Sequence, residues 1–386
     1  MAFGKTANKN ARAADSDSED ELIENELNPT NVSKYQAAGE IASKVMSTVV
    51  AAGVEGATVL SLCTLGDSTI LSLLKTVYTE DEKMSKGIAF PTCVCPTSIV
   101  CHLSPLVSDP EATIALKNGD MVRVELGVQI DGYIAQAAHT FVVGATKENP
   151  VVGRQADVIQ AAYSAAELAA RLIRPGNDSR MVTDSISKIA KEFNCTAVEG
   201  MTTHQVLRNI LDGPKQIVLN PPETSRKNAS NVVFEAGEVY SIDILVKSGE
   251  GKSRPLDTRT TVFKRSPNQT YQLKMQTSRI IFSEIRRNHG TMAFSLRNFE
   301  NEKKARMGIL ECTSHNLVTP YPVLHEKNDI DNAHFMFTVL VLESEQIQTV
   351  TLPWDQELIK SECKVVDPEL IEILSRPVKT GAASAE

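Results

Sequence analysis

Glu125 and Asp243 stand at matching places in two look-alike segments, N-G-D-M-V-R-V-E-L (118–126) and A-G-E-V-Y-S-I-D-I (236–244). Each runs from a Gly and an acid through alternating apolar residues to a carboxylate six positions after the Gly. A carboxylate among the apolar residues of a strand is costly to bury unless it is paired or holds a cation. Two at equivalent positions describe a pocket built by duplication to gather positive charge. Cys93, Cys95, Cys101 and His102 carry the donor types of a zinc site, but C-x-C spacing matches no usual structural zinc motif, and buried thiols are expected instead. A third constellation is basic. Residues 247–310 hold fourteen Lys or Arg against five Asp or Glu, in a chain of net charge −8. Lys247, Lys252, Arg254, Arg259, Lys264 and Arg265 come first, then Arg279, Arg286, Arg287, Arg297, Lys303, Lys304 and Arg306. Such clustering suits phosphate contacts with counterion release and strong salt dependence; the plainer alternative is a solvated helical face.

The elements that must position these groups repeat. K-V-M-S-T-V-V-A-A-G-V-E-G-A-T-V (44–59) resembles L-A-A-R-L-I-R-P-G-N-D-S-R-M-V (168–182), with Gly53 matching Gly176. Each reads as an amphipathic helix stopped by Gly and followed by a second helix, over 58–78 and 181–193. Residues 31–52 form the first helix, with Asn31 as its cap. Strands dominate 88–146, and Asp131–Gly132 marks a type I′ hairpin turn. An Ala-rich helix over 153–174 stops at Pro175–Gly176. Strands follow at 238–247, 258–264 and 333–342, while 271–310 read as helices with no counterpart in the first half. Strands flanked by helices, with antiparallel hairpins and a duplicated half, give an α/β (α+β) sheet covered by helices.

Composition adds bounds. Apolar residues make up 42% and charged ones 23% of 386 residues, ordinary for a globular protein. No run approaches the ~20 apolar residues of a membrane span, and the start M-A-F-G-K-T-A-N-K-N lacks a secretory h-region. Seven cysteines without a regular framework fit a reducing compartment, so cytoplasm and nucleus are the expected locations. Residues 1–28, with seven acids between Asp15 and Glu26, and residues 371–386 are expected to be disordered tails.

A-F-P-T…C-H (89–102), V-E-L-G-V-Q-I-D-G-Y-I-A-Q (124–136), G-M-T-T-H (200–204), G-E-V-Y-S-I-D (237–243) and F-M-F-T-V-L (335–340) resemble the ordered motifs of methionine aminopeptidases over roughly 30–345. F-S-E-I…M-A-F-S-L-R and L-V-T-P-Y-P-V-L are similar to the type-2 insertion. K-G-I-A-F-P-T, A-H-T-F-V-V, F-K-R with T-R-T-T, and E-K-K-A-R-M-G resemble the ErbB3-binding or proliferation-associated family, which has a fungal curved-DNA-binding member. The resemblance implies a pita-bread domain over 29–370, in two pseudo-symmetric halves, with a basic helical insertion at 270–324.

In active relatives an Asp, Asp, His, Glu, Glu set holds two divalent metals. Carried over, these places fall on Glu125, Gln136, His204, Asp243 and Met336, with His102 at a substrate-contacting position. Gln136 is neutral and Met336 offers a soft thioether unsuited to hard cations. Two divalent ions ~3.5 Å apart at an effective dielectric of ~20 repel by roughly 19 kcal/mol, and two carboxylates supply half the neutralising charge. The expectation is therefore a vestigial pocket with no metal or other cofactor and no peptidase activity. One weak ion on Glu125, His204 and Asp243 is the reduced alternative, and an active metal-dependent methionine aminopeptidase the opposing one. The family further implies docking at the large ribosomal subunit, ribosomal RNA processing and growth control. DNA binding, protein partners in the old pocket, nucleolar passage and a monomeric state complete the expectations. The Lys-rich tail of many relatives is missing after Ser375, which holds only Arg376 and Lys379.

Overall fold

The computed structural model describes residues 26–221, 231–327 and 329–381. Helix α1 (Pro29–Ala52) opens on Asn28, whose side chain accepts from the Asn31 backbone N–H, with Pro29 at the first helical position. The cap is thus Asn28 rather than the expected Asn31. Proline lacks the N–H that a first turn leaves unpaired anyway, so the helix starts earlier than its apolar pattern. Helix α2 (Val59–Leu74) begins with a reciprocal capping box between Thr58 and Ser61. The second pair of helices is α3 (Gly153–Leu172) and α4 (Ser179–Glu192), the latter capped by Asp178.

The central sheet contains β1 (Lys86–Pro96), β2 (Met121–Ile130), β3 (Tyr133–Val142), β4 (Thr202–Gln205), β5 (Gln216–Val218), β6 (Val239–Lys247) and β7 (Asn332–Val341). Its order is β1-β2-β3-β7-β6-β4-β5, and the neighbours are antiparallel. Asp131 and Gly132 adopt φ of 54° and 80° between β2 and β3, the positive-φ pair that a type I′ hairpin needs. Helices α1 and α2 pack on β1–β3, and α3 packs on β6 and β7 with α4 beside it. The two halves therefore meet at the β3–β7 junction, as the repeated segments imply. One face of the sheet, with Val122, Val124, Phe335, Phe337, Ile242 and Ile244, forms the main core under the helices. The opposite face is open for polar residues.

The insertion packs α5 (Gln276–Asn288) against α6 (Glu302–Ser314) over a three-stranded sheet of 262–265, 293–295 and 318–321. Two features depart from expectation here. Residues 258–261 are not strand, and the insertion's small sheet reaches back to Val262. Tight packing of Gly308 against Ile281 lets the two helices approach; a Cβ there would lie 2.6 Å from an Ile281 side-chain atom.

The expected disordered tail from 371 is ordered as far as Gly381. Helix α7 (Pro368–Ser375) buries Leu370 and Ile373, and Lys379–Thr380 pair in parallel with 346–348. Small polar residues suffice there because an unpaired strand edge supplies the hydrogen bonds. Residues 1–25 of the acidic tail and 382–386 lie outside the described residues. Among the described residues no helix is long and apolar enough to cross a membrane.

Candidate functional site

Strand register brings the carried-over positions onto the polar face in one cross-strand row. Glu125 on β2 faces Ala138 on β3, Ala138 faces Met336 on β7, and Met336 faces Asp243 on β6. Side chains two residues apart share a face, so Gln136 lies beside this row and His204, opposite Ser241, closes it on β4. All five positions occupy five adjacent strands. His102 approaches from the loop after β1 with φ 66°, its Nδ1 donating to the Pro322 carbonyl at 3.1 Å and its ring edge-on to Tyr321 at 5.3 Å.

His334 is a further member that motif reading missed. It shares the face of Met336 two residues away, and its Nε2 donates to Asp243 Oδ1 at 2.7 Å. The register makes His334 the mate of Gln136: each lies two residues before the residue that pairs with a repeat carboxylate. The alternating A-H-F-M-F-T of 333–338 carried that signal, since positions 334 and 336 must point the same way. Burial opposes protonation of His334, but the charge of Asp243 and its hydrogen bond, then Glu125, outweigh it and raise the pKa. Glu125 is also raised, first by burial, against the lowering influence of His102 and His334. Its Oε2 and the Oε1 of Gln136 are buried without a partner among the described residues.

A divalent metal does not fit this set. Gln136 and Met336 bring no charge, and an imidazole N–H already occupies Asp243 Oδ1, where a bound cation would sit. Among the described residues no three His, Cys, Asp or Glu converge in a metal-binding arrangement, the reduced trio of Glu125, His204 and Asp243 included. The cysteines are buried free thiols apart from the half-buried Cys363. Burial pushes the Cys95 thiol up to about 12, well away from a reactive thiolate.

The basic residues divide by environment. Lys247 is fully buried and paired with Glu326, so the expectation that it contacts a nucleic acid is wrong. Arg297 is likewise withdrawn from the surface: it bonds Asp67 at 2.5 Å and Ser104 at 2.7 Å, tying the insertion to the body. Arg259 pairs with Asp109, and Lys264 with Asp212. Arg265 donates to the Gly290 carbonyl. Charge counting had missed these partners because they lie far away in sequence. Lys252, Arg254, Arg279, Arg286, Arg287, Lys303 and Lys304 remain exposed, with Arg306 half-buried, and among the described residues no carboxylate forms an ion pair with any of them. Exposed apolar side chains interleave with these on α5 and α6: Ile280 (56%), Met307 (53%) and Leu310 (65%).

Residues 33–266 match the model of metallopeptidase family M24. The chain belongs to that family. Its architecture is the family's pita-bread fold. It is 42% identical to the "Curved DNA-binding protein" of Schizosaccharomyces pombe, over 91% of each chain. It is 41% identical to "ERBB-3 BINDING PROTEIN 1" of Solanum tuberosum, over 94% of this chain and 92% of that one. A solved "thermophilic Arx1" is 30% identical with a TM-score of 0.84, covering 92% of this chain and all of the other.

Proposed function

We propose that this M24 protein is a non-catalytic homologue that binds ribosomes or structured RNA through its insertion, acting in ribosome biogenesis, translation or growth control in the cytoplasm and nucleus. The carrying observation is the exposed face of α5 and α6, where Arg279, Arg286, Arg287, Lys303 and Lys304 lack carboxylate partners among the described residues. Guanidinium and ammonium groups on one face bind phosphates and release counterions. The name of the fission-yeast relative supports DNA as a second polyanion for the same face. Against peptidase activity stands the loss of metal chemistry. Without a divalent ion nothing in the pocket lowers the pKa of a water molecule, and Gln136 and Met336 cannot restore the missing charge. The orphaned Glu125 Oε2 and Gln136 Oε1 favour a subsidiary reading in which the pocket accepts a donor group of a protein partner.

Co-sedimentation with large ribosomal subunits across a salt series tests the main reading. Exchanging Arg286, Arg287, Lys303 and Lys304 for Ala removes four contacts and should lower the salt slope by roughly 3, at about 0.7 per single-strand phosphate. Equal sedimentation of both proteins would refute it. Methionine release from a Met-Ala peptide with added cobalt or manganese, abolished by His204→Ala, would instead establish an enzyme.

A further inference from the structure

A cleft of about 380 Å³ lies where the insertion meets the body of the protein. The end of α5 and the turn into the strand at 293–295 form one wall; α2, the start of β1 and the loop at Asn209 form the other. Hydrogen bonds fix both walls. Thr291 Oγ1 donates to the Asn209 carbonyl across the cleft, and Arg265 Nε donates to the Gly290 carbonyl at 2.9 Å. The Asn209 backbone N–H in turn donates to the Gly132 carbonyl at 2.8 Å. A pre-formed cleft at such a junction, within the range of about 300–1,000 Å³, is the usual form of a small-ligand site.

The lining carries one sign of charge. Lys86, Arg286 and Arg287 contribute to it and, among the described residues, no Asp or Glu does, in a chain of net charge −8. Lys86 is committed to the carbonyls of Val77 at 2.8 Å and Tyr78 at 3.2 Å. The two arginines are exposed and less engaged: Arg287 Nε donates to Asn288 Oδ1 at 3.1 Å, and neither guanidinium has a carboxylate partner among the described residues. Forked guanidinium donors match phosphate oxygens. Asn209 and Asn298 add amide side chains, each with donors and an acceptor. Leu71 and Ile88 add an apolar wall. A bare anion would use the arginines and leave the amides and the apolar wall idle.

We propose that this cleft binds a nucleoside monophosphate unit, with the phosphate on Arg286 and Arg287 and the base against Leu71 and Ile88, its polar edge facing the amides of Asn209 and Asn298. A free nucleotide and a single nucleotide of an RNA strand share that chemistry. The site itself does not rest on the proposed function; an RNA strand as its source does.

Titration calorimetry of the full chain with AMP, GMP, CMP and UMP tests it, with the nucleosides and inorganic phosphate as controls. Saturable binding of at least one nucleotide is expected, with its nucleoside and phosphate alone weaker by about tenfold or more, since each lacks half of the contacts. In the unsubstituted protein the nucleotide should shift the methyl signal of Met292, which lines the cleft, and leave that of Met181 on α4 unmoved. Leu71 is 47% exposed, so Leu71→Glu puts a carboxylate in the cleft without disturbing the core. It should weaken nucleotide binding about tenfold through like-charge repulsion. No saturation by any nucleotide at millimolar concentration, phosphate binding as tight as that of the nucleotides, an unmoved Met292 signal, or binding that Leu71→Glu leaves unchanged would each overturn the site. Single-stranded RNA held more weakly by Leu71→Glu identifies an RNA nucleotide as the occupant; RNA affinity unchanged by that variant assigns the cleft to a free nucleotide. Failure of the cleft leaves arginine-dependent ribosome co-sedimentation in place, whereas nucleotide binding without that dependence removes the proposed function and keeps the site.

Discussion

Met336→Glu restores the carboxylate that active M24 sites carry at this place, and its cost measures whether the pocket holds a cation. Met336 is 1% exposed and lies between Asp243 and Ala138 in the cross-strand row, with Glu125 one strand further on. Directly opposed residues have Cβ atoms about 5 Å apart, and unit charges at that separation repel by about 3 kcal/mol at an effective dielectric of ~20. Glu125, at about 10 Å, adds roughly 1.5 kcal/mol, and His334 offsets part of the sum. Met336→Gln has the same shape without the charge. Urea unfolding at pH 8 in the presence of a chelator should find the Glu variant about 3 kcal/mol less stable than the Gln variant. The gap should narrow in acid as the new carboxyl takes up a proton. Equal stability, or a Glu variant that is more stable until the chelator is added, would refute the view that this pocket has abandoned divalent metals.

Three further expectations concern the scaffold. The buried Arg123 guanidinium donates to the carbonyls of Met121, Thr97, Ile99 and Asn332; Arg123→Met should cost about 3 kcal/mol or more in urea unfolding, because these buried acceptors lose their donor. His139 is buried beside Phe335, and burial depresses its pKa to about 3. The unfolded chain protonates near the ordinary imidazole value of 6.5 while the folded one does not, so stability falls as pH drops from about 6.5 to about 3, by at most ~1.4 kcal/mol per pH unit. His139→Leu should flatten that part of the stability–pH curve. Leu370→Ala should cost about 2–5 kcal/mol, since Leu370 is fully buried against the main core; a neutral result would detach α7 from the fold.

The carboxylate row was legible because repetition marks its members: Glu125 and Asp243 follow Gly at equal spacing, and strand alternation fixes their face. The Asp131–Gly132 hairpin was legible for a local reason, since few residue pairs tolerate two positive φ angles. His334 was not legible as a partner, because its bond to Asp243 depends on the pairing of strands 91 residues apart. Lys247 and Arg297 misled for the same reason. Their counterions, Glu326 and Asp67, lie far along the chain, so a window count of charge cannot tell a buried pair from an exposed cation. The ordered stretch after Ser375 was hidden because its stability comes from an edge strand at 346–348 and not from its own composition.

The duplication also shows how one of the two repeat carboxylates finds a partner within the chain. Gln136 and His334 occupy equivalent places in the two halves, each two residues before the partner of a repeat carboxylate. One half carries a neutral amide there and the other a basic imidazole that the Asp243 carboxylate favours in its charged form. An internal N–H donor thus does for Asp243 what a cation would otherwise do, and burial raises the pKa of Glu125, which favours its uncharged form. The arginines of α5, meanwhile, are exposed and without a carboxylate partner among the described residues, Arg279 donating only to the Leu273 and Lys274 carbonyls and Arg287 to Asn288.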